Sequence, residues 1–419
     1  MISERTKAIL LLTSYLSKDL DKDTKPLTIT EWNEVVRWLR NEKLAPEDLL
    51  RGDVESVLSS WVEHKVSKQR IVDLLDRKMA LALKLEKWTK AGIWIINRGD
   101  AEYPESIKNT LKDKIPPILF GIGNKDLLSK NYIGIVGSRN IADEDIQTTK
   151  TIVSQLNEQG YGVISGGARG IDEHSMTGIL QLNGYVLGVL ADSLMKKSSD
   201  NIYRKYIIDN KLVLLSPYNP EAGFNVGNAM GRNKLIYILS KATIVVKSET
   251  KGGTWEGANE NLKNKWVPLW ISEPADLKTV KGNSELVKKG GRWLPKKFNI
   301  STIIQAPTSS RDNQGSLFSS YENSKNQTHH QVNEPSISLE MRKKNNLSNQ
   351  KENQNELFFN FFIDQISKVF VDEEFQKDDI SKAFDLNSKQ LDEWLKLAVE
   401  RELVVKKLKP VRYRLKNQF

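Results

Sequence analysis

Four glycine-bearing turns in this chain could hold an anion, and each follows or borders a run of strand-forming residues. Gly137-Ser138-Arg139-Asn140 comes after Tyr132–Val136. There Gly137 lets the backbone turn sharply, Ser138 and nearby N–H groups can meet an anion, and Arg139 can fork onto a phosphate. Ser165-Gly166-Gly167-Ala168-Arg169-Gly170 ends the run Tyr161–Ser165 and opens the helical pattern that begins Ile171-Asp172. Small residues let a polyanion approach the main chain, and the helix dipole adds attraction at its start. Asp172 reads as a cap or an orienter. Arg232, Asn233 and Lys234 stand near the start of an apolar helical pattern. Cations are unfavourable at that end of a helix, and an anionic ligand would remove the conflict. Gly252-Gly253-Thr254-Trp255-Glu256 makes another glycine turn into a helix. Together the turns predict one groove for a sugar–phosphate strand. A single glycine turn is equally well explained by close helix–sheet packing, so the reading rests on their number. Gly-x-Gly-x-x-Gly and a Walker lysine are both missing.

No catalytic set emerges. His64 lies in a helical region, and His174 has no serine in a nucleophile-elbow pattern. Asp172 and Glu173 are adjacent, which does not make them a facing acid/base pair. His329-His330 has no acids to complete a metal site. There are no cysteines, which excludes thiolate zinc sites, iron–sulfur clusters and cysteine nucleophiles. The expectation is a protein without catalytic residues, cofactor or metal.

The elements that must position these turns alternate. Strand runs at Tyr132–Val136, Tyr161–Ser165, Tyr185–Leu190, Leu212–Leu215, Ala242–Val246 and Trp266–Ile271 are separated by helical patterns at Asp145–Gln159, Ile171–Leu182, Asn228–Leu239 and Trp255–Asn264. That alternation predicts an α/β fold, a Rossmann-like doubly wound parallel sheet covered on both faces. Ligands then sit beyond the carboxyl ends of the strands, near the switch point. Residues 1–97 read as a helical domain, with Trp32, Val35, Val36 and Leu39 at helical spacing and Thr30 as a candidate cap. Residues 98–302 form the α/β domain. Residues 303–355, rich in Ser, Asn and Gln, read as a disordered linker. Residues 356–419 read as a winged helix: helices at Leu357–Phe370, Asp379–Phe384 and Ser388–Glu400, then strands at Leu403–Lys407 and Val411–Leu415. Its end is basic and could track phosphates or present a protein-binding face.

The 419-residue chain carries 63 Lys plus Arg against 53 Asp plus Glu, a formal charge of +10 that favours a polyanionic partner. No apolar run approaches the roughly 18 residues of a membrane span, so the expected setting is the cytoplasm and not a membrane. Ala8–Leu12 is too short for a signal sequence.

At Tyr103-Pro104, Pro116–Phe120, Gly134–Arg139, Ser165–Asp172, Arg232–Ile236 and Gly282–Leu286 the chain resembles the DNA-processing protein A (DprA, or Smf) family. The resemblance implies binding of single-stranded DNA on the Rossmann-like domain. It also implies loading of a RecA-type recombinase in natural transformation, usually as a homodimer. Carried over, Arg139 matches the family's phosphate-contacting arginine, Ser165–Gly170 its backbone cradle, and Arg232 and Lys234 its later basic positions. The chain departs from the family pattern at Met176, Pro217 and Ala229-Met230-Gly231, which marks a divergent member and leaves a defence role as an alternative. The turn Gly252–Glu256 also resembles, with shorter spacing, the box of lonely-guy nucleotide hydrolases. A nucleotide-binding or nucleotide-cleaving enzyme is therefore the other alternative.

Overall fold

The computed structural model describes residues 2–17, 24–274 and 281–308, and in the C-terminal part 363, 366, 374–377, 379–380, 388–401, 403–408 and 411–415. The chain divides into two compact units, Met1–Ser320 and Tyr321–Phe419.

The first unit opens with helices. In α1 (Glu4–Thr13) Ser3 caps the first turn, and Ala8 to Leu12 are all buried. Its first turn is polar, with Glu4 and Arg5 exposed, while the run Ala8–Leu12 is enclosed on every side. α2 (Ile29–Asn41) starts with a reciprocal cap: Thr28 Oγ1 accepts from Glu31 N, and Glu31 accepts from Thr28 N. Thr28, not Thr30, is therefore the cap. Trp32, Val35 and Leu39 face the core, as their spacing predicts. α3 (Lys68–Leu75) and α4 (Lys78–Lys90) complete this region.

The sheet follows, with nine strands in spatial order β1-β2-β6-β5-β4-β3-β7-β8-β9. In the chain these are β1 (Trp94–Asn97), β2 (Ile118–Gly123), β3 (Tyr132–Val136), β4 (Gly162–Ser165), β5 (Val186–Val189), β6 (Leu212–Ser216), β7 (Thr243–Val245), β8 (Leu269–Ile271) and β9 (Arg292–Trp293). From β6 to β9 all neighbours are parallel. β2 pairs antiparallel with both β6 and β1, so the sheet is mostly rather than wholly parallel. The helices between strands are α5 (Glu105–Leu111), α6 (Asp143–Glu158), α7 (Ile171–Gln181), α8 (Leu194–Ser198), α9 (Asn201–Ile208), α10 (Val226–Ile238), α11 (Gly253–Asn264) and α12 (Lys281–Lys288), and α13 (Ile300–Gln305) follows β9.

Side chains alternate across a strand, and β3 shows the consequence. Ile133 and Ile135 join one apolar cluster with α6 and α7, while Tyr132 and Val136 join a second with α10 and α11. Both faces are covered, which explains the unbroken apolar runs in the sequence. After β3 the chain lays down β4, β5 and β6 on one side, then returns to place β7, β8 and β9 on the other. The carboxyl ends of β3 and β7 are thus the switch point.

α13 carries order into the segment read as linker, and its Ile303 is buried. From residue 309 the rest of that segment, His329-His330, the turn at 385–387 and most of the helices expected over Leu357–Phe370 and Asp379–Phe384 lie outside the described residues. In the second unit α14 (Ser388–Glu400) precedes an antiparallel hairpin of β10 (Val404–Leu408) and β11 (Val411–Leu415). Phe375, Leu391, Leu395, Val404 and Tyr413 share its core. Among the described residues no helix is long and apolar enough to cross a membrane.

Candidate nucleic-acid interface

Three loops are tied together beyond β3 and β7. Ser138 N donates to Lys247 O at 2.9 Å, and Ile171 N donates to Ser138 O at 3.2 Å. Thr254 Oγ1 donates to Gly137 O at 2.9 Å, and Asn233 Nδ2 donates to Gly253 O at 3.1 Å. The turns after β3, β4 and β7 and the middle of α10 are thereby fixed around one crevice of about 650 Å³; Arg232, Asn233 and Lys234 stand mid-helix in Val226–Ile238, not near its start as expected. That volume is in the range of small-ligand pockets, and its place is where open α/β sheets bind ligands.

Of the residues expected at the site, Gly137, Ser138, Arg139, Ala168, Arg232, Asn233, Gly253 and Thr254 line the crevice. The amide of Ser138 and the hydroxyl of Thr254 already donate to backbone carbonyls. Their part in the crevice is to hold its walls. Arg139 is exposed, with its guanidinium 5.3 Å from the ring centroid of Phe224. Arg232 is 5% exposed at the floor.

The other expected residues are placed differently. Ser165 is buried, and its hydroxyl donates to Ile135 O at 2.6 Å, bridging β4 to β3. Gly166 and Gly170 make room behind the crevice. A Cβ on Gly166 would meet Arg232 Nη1 at 1.8 Å, and one on Gly170 would meet Ser138 O at 2.4 Å. Gly167 packs near Leu190, and Arg169 is exposed away from the lining. Lys234 is a correction to the single-groove expectation. It lines a separate pocket of about 250 Å³ with Pro116, Pro117 and Tyr218. Residues two apart on a helix point roughly 200° from each other, so Arg232 and Lys234 cannot face the same way.

Charge at the floor is concentrated in Asp172 and Arg232. Burial raises the Asp172 carboxyl above the usual carboxylate range, against the pull of Arg232, the amides of Ala168 and Gly166 and the Ser165 hydroxyl. Burial lowers the Arg232 guanidinium, against the attraction of Asp172 and Asp192. Burial also lowers Lys234, with Glu260 opposing and Lys114 reinforcing the shift. Among the described residues, no three His, Asp or Glu side chains cluster so as to hold a metal.

Sequence reasoning missed Phe224, Tyr237 and Glu249 in the lining. Phe224 falls in the irregular stretch after β6, where no periodicity marks it. Tyr237 follows Arg232 at i+5 on α10 and read only as an apolar helix position.

Comparison with known proteins meets this geometry. The DNA processing protein DprA of Bacillus subtilis (strain 168) is 28% identical over 234 residues, covering 53% of this chain and 78% of that protein. DprA of Streptococcus pneumoniae (strain ATCC BAA-255 / R6) is 28% identical over 223 residues, covering 53% of this chain and 75% of that one. The X-ray structure of DprA from Streptococcus pneumoniae superposes with a TM-score of 0.53 at 20% identity, over 72% of this chain and 97% of that chain, which establishes a shared fold. The family model described as DNA recombination-mediator protein A matches residues 94–305, from β1 through α13 and so through every loop around the crevice. Spanning half the sequence and the whole sheet, that match makes this chain a member of the DNA recombination-mediator protein A family.

Proposed function

We propose that the chain binds single-stranded DNA in the crevice and acts, without catalysing a reaction, as a DprA-type recombination mediator in natural transformation. Membership of a family described as recombination mediators supports the reading. The observation that carries it is the convergence of Arg139, Arg232 and the start of α11 on one crevice at the switch point. A strand held there by phosphate contacts would be presented to a RecA-type recombinase in the cytoplasm, with a homodimer as the working unit. Lys234, on the other side of α10, would take a neighbouring stretch of backbone.

The domains then run as helices to Lys90, a Rossmann-like body from β1 at Trp94 to α13 at Gln305, a linker to 355 and a winged helix beyond. In the last, α14 followed by the β10–β11 hairpin fits the expected order, and the register places Lys407 opposite Arg412.

The test is a salt titration of a labelled oligothymidylate by fluorescence anisotropy. Affinity should fall linearly in log–log form with salt. Arg139→Ala should weaken binding about 10-fold and reduce the slope by about 1. Absence of binding at low salt, or an unchanged slope in the variant, overturns the proposal.

A further inference from the structure

Arg232 is the anomaly of the crevice. It is 95% buried by its 5% exposure, yet its Nε and Nη1 have no hydrogen-bond partner. Leaving buried charged donors unmet is costly, and such a group in a folded protein calls for a reason. Asp172 offsets part of the charge. No hydrogen bond joins Asp172 to the guanidinium, so the charge is offset while the Nε and Nη1 donors stay unmet.

Beside Arg232 the twelve-residue helix α11 begins with Gly252 as its cap, which supplies no side-chain acceptor. The first amides of a helix lack intrahelical partners and carry partial positive charge. Arg139 stands at the mouth. The floor is closed by the buried residues Val136, Ile236 and Tyr237. At the rim, Phe224 is 57% exposed and lies against Arg139. Glu249, Lys251 and Glu256, all exposed, complete the rim.

A closed floor discriminates between kinds of phosphate. A phosphodiester inside a continuous strand carries one charge and drags a sugar along on each side, and reaching Arg232 would bring both sugars into a dead end. A phosphomonoester carries about −1.5 to −2 charge at neutral pH, three acceptor oxygens and only one sugar. Its oxygens can meet the two unmet nitrogens of Arg232 and the open amides of α11, and the rim carboxylates become acceptors for sugar hydroxyls or a base amine.

We propose that the crevice closes on a single nucleotide bearing a phosphomonoester, with the phosphate on Arg232 and the amino end of α11 and the base against Phe224. The inference rests on the reading that the crevice takes nucleic acid, and it names what part. Two sources share this chemistry: a free nucleoside 5′-monophosphate and the 5′-phosphorylated end of a DNA strand.

Full-length protein is titrated with 3′-labelled oligothymidylate carrying either a 5′-phosphate or a 5′-hydroxyl, and the complexes are challenged with AMP, adenosine or inorganic phosphate. A preference of about tenfold for the 5′-phosphate identifies the strand end. Displacement by AMP but not adenosine identifies the free nucleotide as a ligand. Either result supports the inference. Phe224→Ala, at an exposed position that leaves the core intact, should weaken AMP at least fivefold while leaving inorganic phosphate unchanged. Equal affinity for both oligonucleotides, with no displacement by millimolar AMP, overturns the inference and leaves DNA binding standing. If neither oligonucleotide binds at low salt, the DNA reading falls instead, and direct AMP binding by calorimetry decides this one.

Discussion

Two glycines a few residues apart guard the same site by different physics. At Gly166 an added Cβ would fall 1.8 Å from Arg232 Nη1 and 2.6 Å from Asp172 Oδ2. Both obstacles are ends of side chains, which can swing aside. Gly166→Ala should therefore keep the fold, with a stability change below about 1 kcal/mol, and lose about 10-fold in oligonucleotide affinity because Arg232 is displaced. At Gly170 φ is +86°, and the added Cβ would fall 2.4 Å from the backbone oxygen of Ser138. Backbone cannot swing aside, and that conformation is strained for any residue with a side chain. Gly170→Ala should lose about 2–3 kcal/mol of stability. Thermal melts and anisotropy on the two variants separate the cases. A larger melting loss at Gly166 than at Gly170 would refute the assignment.

At the scale of elements, one carboxylate ties the loop after β6 to the N-terminal helices. Glu221 accepts from Lys84 at 3.0 Å, from Lys87 at 2.9 Å and from Trp88 Nε1 at 3.0 Å, so it pins α4 to the loop that carries Phe224 and leads into α10. Burial alone would raise the Glu221 carboxyl, but the donors from Lys87, Lys84 and Trp88 outweigh it and hold the group below the usual range. A carboxyl depressed on folding contributes stability above its unfolded value, and loses it as pH falls through the folded value. Glu221→Gln should thus cost about 1–2 kcal/mol at pH 7, with the deficit shrinking below about pH 4. Urea melts at pH 7 and pH 3.5 check this, and an equal deficit at both would count against it. Which elements were legible follows from the same local physics. The parallel strands β3 to β8 announced themselves because burial on both faces demands unbroken apolar runs. β1 and β2 were missed because an antiparallel pair at one edge breaks the βαβ rhythm that located the others, and β9 is only two residues long. The glycine turns were legible because close approach leaves a residue-type mark, as at Gly170. The phase of α10, which sends Lys234 away from Arg232, and the exposed Phe224 left no such mark.

Across the whole first unit, the family match and the core do not share a boundary. The matched segment starts at residue 94, where β1 begins. The apolar cluster beneath the sheet nevertheless runs from Ile9–Leu12 and Trp88 to Phe120, Leu212 and Leu214 without a break. Trp88 stands edge-on to Phe120 with centroids 5.3 Å apart, and Thr6 Oγ1 accepts from Asn97 Nδ2 at 3.1 Å. Removing residues 1–93 would strip Leu10, Leu11, Leu12 and Trp88, each less than 2% exposed, from that cluster. At about 1.5–3 kcal/mol for each large apolar side chain, the loss rivals the 5–15 kcal/mol by which a domain is stable. Among the described residues the second unit has a core cluster of its own. A chain shortened to residues 1–320 should melt in one cooperative transition and bind oligothymidylate within about threefold of the full chain. A chain shortened to residues 94–320 should show no cooperative melt and should bind a hydrophobic dye. Calorimetry and dye fluorescence on the two decide the matter: a cooperative, dye-free 94–320 would mean that the N-terminal helices only cover a sheet able to stand without them.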